Sequence, residues 1–246
     1  MNSEFKIIVE DVDGTADQLV KDRYVELFYK TYPYMYRHFV EGNFPCTKEV
    51  TVKLGKEFYA PACTDAVSII WVNSDYANEF VDDMDYLTHE LAHIISQYND
   101  VIMPDWCDEG FPDYCRYVYG VHPDGDEWFP DIYRDTQYYN TEREEHKGKD
   151  QESARFLIWM NENYGSGVGN KDIYKEITLM ITSRKYTREE WDNEVMFPAL
   201  TGGKTFPELY EEYKKSNYVL DYTENYRRIV SKLAPEIIER GRGFDK

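Results

Sequence analysis

Residues Asp82–Tyr98 read DDMDYLTHELAHIISQY, and this stretch decides how the rest of the chain is read. Met84, Leu87, Leu91, Ile94, Ile95 and Tyr98 recur at three- and four-residue spacing, the pattern of a helix with one apolar stripe. At about 100° per residue, His89 and His93 fall roughly 150° or more away from that stripe. The spacing predicts a helix over Asp82–Tyr98 that packs one face inward and shows its histidines to a cleft. Residues four apart on a helix differ by roughly 40° in direction and 6 Å in height, so both imidazoles can reach one metal ion. Glu90 projects between the two faces, placed to act on a water at that metal.

His89-Glu90-Leu91-Ala92-His93 matches the HExxH motif of zinc metallopeptidases, in which two histidines bind the metal and the glutamate is a general base. A third ligand is needed. Pro104–Tyr114 reads PDWCDEGFPDY and places Glu109 and Asp113 four apart, on one face of a second helix. One of these two carboxylates can complete the site while the other orients a ligand histidine through its other ring nitrogen, and the favoured reading takes Glu109 as the ligand and Asp113 as the orienting acid. The alternative with a third histidine requires Gly at 96 and His at 99; the chain has Ser96 and Asn99, which excludes it. Pro112 is tolerable only near the first turn of its helix, where backbone N–H groups lack partners anyway.

Working outward, the 246 residues carry 47 acidic against 28 basic side chains, a net charge of -19. Such a charge repels phosphate backbones and anionic membrane surfaces, which argues against nucleic-acid and membrane partners. No apolar run reaches the roughly 18 residues of a membrane span. The 42% apolar and 16% aromatic content excludes a disordered chain. Four cysteines are too few for a disulfide scaffold. Cys107 and Cys115, eight apart on one helix, stand about 12 Å apart and do not bridge. Cys46 and Cys63 are left open as a pair or as free thiols. Met1-Asn2-Ser3-Glu4-Phe5-Lys6 has neither a basic start nor an apolar core of a signal peptide. That fits a cytoplasmic protein or one whose leader has been removed.

Strands are expected over Phe5–Glu10, Glu49–Leu54 and Ala66–Val72, and a long helix over Asp17–Phe39 with a kink at Pro33. After Asn99-Asp100 the pattern turns helical. Helices are expected over Ser153–Tyr164, Ile173–Ser183 and Phe206–Ser216, with a charged surface loop over Thr141–Asp150. Strands early and helices late make the class α+β. The expected organisation is one domain over 1–246, with a mixed N-terminal lobe over about 1–99 and a helical lobe over about 100–246.

The residues just quoted resemble the basic secretory protein family, a group of gluzincin-like zinc peptidases. The family pattern is similar to LTHELAHIISQ followed by PDWCDEGFPDYCR, with Pro104, Glu109, Gly110, Asp113, Tyr114 and Arg116 in place. Ser153-Ala154-Arg155-Phe156-Leu157 resembles its Thr-Ala-Arg-Phe-Leu, and Gly203-Lys204-Thr205 with Leu209–Lys214 its C-terminal motif. The resemblance spans about residues 10 to 216. It implies a zincin-like fold, a Zn2+ ion on His89, His93 and Glu109, a peptide or protein substrate, and an extracellular or periplasmic location. Gluzincin architecture further implies that the strand around Ile69–Asn73 edges the cleft and pairs with an extended substrate. Three departures stand out, one being Pro112, which replaces a small residue of the family in the Glu109 helix. The chain is acidic, and Gly148-Lys149-Asp150 stands where the family carries a Gly-Tyr whose hydroxyl stabilises the oxyanion. Tyr133, Tyr138, Tyr139, His146 and Lys149 are the substitutes within reach in the sequence.

Two other functions stay open. One is a zinc-binding homologue without turnover, acting as a binding protein. The other starts from Phe5–Thr15, FKIIVEDVDGT, which resembles the first motif of magnesium-dependent haloacid dehalogenase-like phosphatases, with Asp11 and Asp13 as nucleophile and acid. Against it stand the helical second half of the chain and a simpler reading of the segment as a capped turn.

Overall fold

The structure is a computed structural model describing residues 4–82, 84–97, 105–121, 149–165, 173, 175–176, 196–216, 218, 224–241 and 243. It is mixed α and β, with two compact units. The first comprises residues 1–99, 115–123 and 236–246; the second comprises residues 100–114 and 124–235.

The first unit is built on a four-stranded sheet. Strand β1 (Lys6–Asp11) pairs in parallel with β2 (Glu49–Gly55), and β2 in parallel with β4 (Ile69–Asn73). Strand β3 (Ala62–Thr64) is the antiparallel edge, so the order is β1-β2-β4-β3. Val50, Val52 and Leu54 alternate with more exposed residues along β2, as Ile70 and Val72 do along β4. The register Val52–Ile70 and Leu54–Val72 stacks them in rows on one face, the period-two pattern of a sheet with a single core side.

The β1–β2 crossover is helix α1 (Gln18–Met35), whose Val20, Tyr24, Leu27, Phe28 and Tyr32 are fully buried. Pro33 sits in its last turn and does not break it. Instead the helix widens into a π-helical turn, Tyr36–Val40, closed by a bond from the Glu41 N–H to the Tyr36 carbonyl. Proline has no N–H to offer and crowds the turn before it, which favours a local change of helical pitch. The expected strand at Ala66 begins only at Ile69. Residues 65–68 form a turn in which the Asp65 carboxylate accepts the N–H groups of Val67, Ser68 and Ile69, each at 2.8 Å. The short strand β3 and helix α2 (Ser74–Glu79), capped by the Asn73 side chain on the Tyr76 N–H, were not visible in the pattern.

Helix α3 spans Asp85–Ser96, shorter at both ends than the periodicity suggested. Gln97, at φ 51° and ψ 39°, is left-handed and stops it; Tyr98 lies outside the described residues. Helix α4 covers Asp105–Tyr119, giving its residues through Tyr114 to the second unit and Cys115 onward to the first. Pro112 is the eighth of its 15 residues, not a first-turn residue as its chemistry suggests. An interior proline costs about 3 kcal/mol. Burial of Phe111, Tyr114, Cys115, Tyr117 and Val118 along the same helix outweighs that cost.

In the second unit, α5 (Lys149–Tyr164) carries Phe156, whose ring meets Phe206 at 5.4 Å, Tyr213 at 5.5 Å and Tyr210 at 5.9 Å. Those partners lie on the helix Phe206–Lys215, started by a capping box between Thr205 and Glu208. Helices Met196–Thr201 and Glu224–Leu233 belong to the same unit. The expected loop at 141–148 and most of the expected helix at 173–183 lie outside the described residues. All four cysteines are free: Cys46 contacts the Tyr32 hydroxyl and the Ile94 carbonyl, and Cys63 is exposed on β3, so the two are not a disulfide. Among the described residues no helix is long and apolar enough to cross a membrane.

Candidate metal centre

Helix α3 is held at its start by a buried acid. Asp85, 4% exposed, accepts the Val121 N–H at 2.9 Å and the Thr88 hydroxyl at 3.1 Å. One residue on, the Tyr86 hydroxyl shares a 2.5 Å hydrogen bond with Tyr24 of α1. Arg240 fixes the backbone beside Val121, its guanidinium donating to the carbonyls of Tyr119 at 2.8 Å and Gly120 at 2.9 Å. Neither the Val121 nor the Tyr24 partner follows from periodicity, since they lie 36 residues from Asp85 and 62 from Tyr86 in the chain.

The apolar stripe behaves as its spacing demands: Met84, Leu87, Leu91, Ile94 and Ile95 are buried. The opposite side is more closed than the pattern implies, because Tyr86, Thr88, Glu90 and Ala92 are buried too. His89 and His93 are the residues of α3 that retain access to solvent. Their Nε2 atoms face each other at 3.2 Å, with ring centroids 4.9 Å apart and planes at 71°. Two nitrogens bound to one tetrahedral zinc at about 2.0–2.1 Å stand roughly 3.3 Å apart. The pair is therefore already at ligand spacing.

A carboxylate oxygen of Glu109 joins them: one ligand atom from each of His89, His93 and Glu109 lies within 4.8 Å of the other two. Two imidazoles and one carboxylate suit zinc, whereas magnesium prefers an all-oxygen shell. Four residues on, Asp113 is only 2% exposed. Glu90 is 8% exposed, and its charge is felt across at β3: partial burial first, and then the Glu90 carboxylate, push the Cys63 thiol above its usual range. Cys63 was not singled out as a site neighbour, and no sequence signal marks it, because the adjacency arises only when β3 packs on α3.

One expectation is corrected here. The strand Ile69–Asn73 is not an edge, since β2 pairs with it on one side and β3 on the other. Its backbone groups are in use, and among the described residues the edge strand nearest α3 is β3. Of the residues considered for the oxyanion, Tyr133, Tyr138, Tyr139 and His146 lie outside the described residues, and Lys149 opens α5.

The Asp11–Thr15 segment forms a capped turn. Asp11 accepts the N–H of Thr15 at 3.0 Å and pairs with Lys21 at 3.2 Å, while Asp13 accepts the Thr15 hydroxyl at 2.5 Å and the Lys56 N–H at 2.9 Å. The Lys56 N–H, and then the Thr15 hydroxyl, hold the Asp13 carboxyl below its usual range. Both acids are engaged in shaping the loop.

No protein-family model matches the chain, and no curated protein matches it.

Proposed function

We propose that the chain is a zinc-dependent peptidase of zincin-like fold, with His89, His93 and Glu109 as metal ligands and Glu90 as general base. The observation that carries the reading is the pair of Nε2 atoms at 3.2 Å, together with one ligand atom from each of His89, His93 and Glu109 within 4.8 Å of one another. When bound, zinc supplies Lewis acidity, polarising a carbonyl and bringing the pKa of a water down toward about 7. His89 and His93, one turn apart on α3, present neutral imidazoles in fixed directions. Glu109 adds one negative charge and leaves the centre net positive. Glu90 accepts the proton of the attacking water and returns it to the leaving amine; its burial beside the histidines keeps competing water away. The edge of β3, next to Glu90, is the place for an extended substrate backbone to pair. Asp113 orients a ligand histidine through its other ring nitrogen.

The motif departure at Gly148-Lys149-Asp150 supports a second reading, a zinc-binding protein without turnover. One missing oxyanion donor costs about 3 kcal/mol of barrier, enough to leave weak activity or none. A single comparison separates the readings. Protein purified without added metal is expected to hold near one zinc per chain, lost in His89→Ala, His93→Ala or Glu109→Ala. Glu90→Gln is expected to keep zinc and to lose about 10²-fold or more in turnover on a broad peptide library. Zinc-loaded wild type that cleaves nothing beyond the Glu90→Gln background would leave the binding role. A phosphatase activity that needs magnesium and vanishes in Asp11→Asn would overturn both.

A further inference from the structure

Helices α4 and α5 come close together next to Glu109, at Gly110 and Ser153. A methyl group at Gly110 would stand 2.5 Å from Cβ of Ser153, 3.3 Å from Cδ1 of Leu157 and 3.4 Å from Oγ of Ser153. Ordinary carbon–carbon contacts are about 3.5–4.0 Å, so the helices would have to part by about 1 Å to admit it. The Leu157 methyl is the far end of a side chain and can turn aside. The Ser153 Cβ is bonded directly to the α5 backbone, and no torsion moves it. There is no slack around it either: Gly110, Phe111, Ser153, Ala154 and Leu157 are all buried.

The residue that would move with Gly110 is its neighbour Glu109. Zinc–ligand distances hold to within about 0.2 Å, so a backbone shift of about 1 Å takes a ligand out of its shell unless its rotamer compensates. From this close approach we propose that Gly110 is a positioning residue of the metal centre: by lacking a Cβ it lets α5, through Ser153, set where the Glu109 carboxylate stands. The inference rests on the zinc reading above. Gly110 touches neither metal nor substrate, and it acts through Glu109.

The test is a double-mutant cycle on the full chain, with zinc affinity measured against a competing chelator and thermal melting recorded in parallel for metal-free protein. Gly110→Ala is expected to weaken zinc by about tenfold or more, the scale of losing a ligand's support. Ser153→Gly removes the atom in the way, and the double variant is expected to bind zinc within about threefold of Ser153→Gly alone. Gly110→Ala with wild-type affinity would overturn the proposal. So would a folded double variant no tighter than Gly110→Ala. If Gly110→Ala does not fold, a folded, zinc-binding double variant supports the proposal and an unfolded one overturns it. Wild type that takes up no zinc defeats the zinc reading separately, and the proposal that α5 sets the Glu109 segment through Ser153 is then decided by melting. Recovery of the Gly110→Ala loss by Ser153→Gly upholds it, and additive losses overturn it.

Discussion

Replacing Asp85 by alanine tests whether a buried acid at the start of α3 fixes the helix that carries both histidines. The carboxylate is 4% exposed and accepts the Val121 N–H at 2.9 Å and the Thr88 hydroxyl at 3.1 Å. Alanine leaves the Val121 N–H buried without this acceptor, a loss of about 1–3 kcal/mol, and removes a bond to a charged group worth about 1.5–3 kcal/mol. The Thr88 hydroxyl can rotate toward another acceptor, so its share is smaller. The terms overlap, and the expected net loss is about 3 kcal/mol. For a chain of this length each kcal/mol lowers the melting temperature by about 2–4 °C, so a fall of roughly 6–12 °C is expected. Asp85→Asn keeps an oxygen for the Val121 N–H and should lose less than half as much. Melting by circular dichroism gives the total, and hydrogen exchange at the Val121 amide gives the local cause. An alanine variant melting within about 2 °C of wild type, with Val121 exchange unchanged, would refute the reasoning.

Asp113→Asn is expected to weaken zinc by about 10- to 100-fold if the acid orients a ligand histidine; unchanged affinity in a chelator competition retires that role. Cys63 offers a test of Glu90 that needs no metal. The Glu90 charge raises the Cys63 thiol, so at pH 8 less of it is thiolate than in a neutral setting. Glu90→Gln should therefore speed alkylation of Cys63 in metal-free protein. An unchanged or slower rate in the variant would remove Glu90 from the neighbourhood of β3.

What could be read locally was what depends on neighbours in the chain. The apolar stripe of α3 and the one-turn spacing of His89 and His93 follow from helical geometry, and the structure keeps both. Glu109 and Asp113 could be paired for the same reason, being four apart on α4. Element ends were less legible. The left-handed Gln97, the Asp65-capped turn and the π-helical widening after Pro33 are set by one or two residues whose alternatives differ by little in free energy. Pro112 shows the limit of propensity, because burial of the residues around it outweighs a local penalty of about 3 kcal/mol.

The sequence by itself determined that this chain is an acidic α+β protein whose HELAH helix sets two imidazoles one turn apart on one face, because covalent spacing and helical pitch are local properties. Only the tertiary structure decided which residues surround that helix. The Val121 N–H on Asp85, Arg240 on the carbonyls of Tyr119 and Gly120, the Cys63 thiol within the field of Glu90, and Ser153 against Gly110 are contacts between residues 27 to 121 positions apart. Even the assignment of β3 rather than β4 as the edge came from register. Such contacts depend on how elements of matching shape and charge dispose themselves in space, and no periodicity along one segment carries that information.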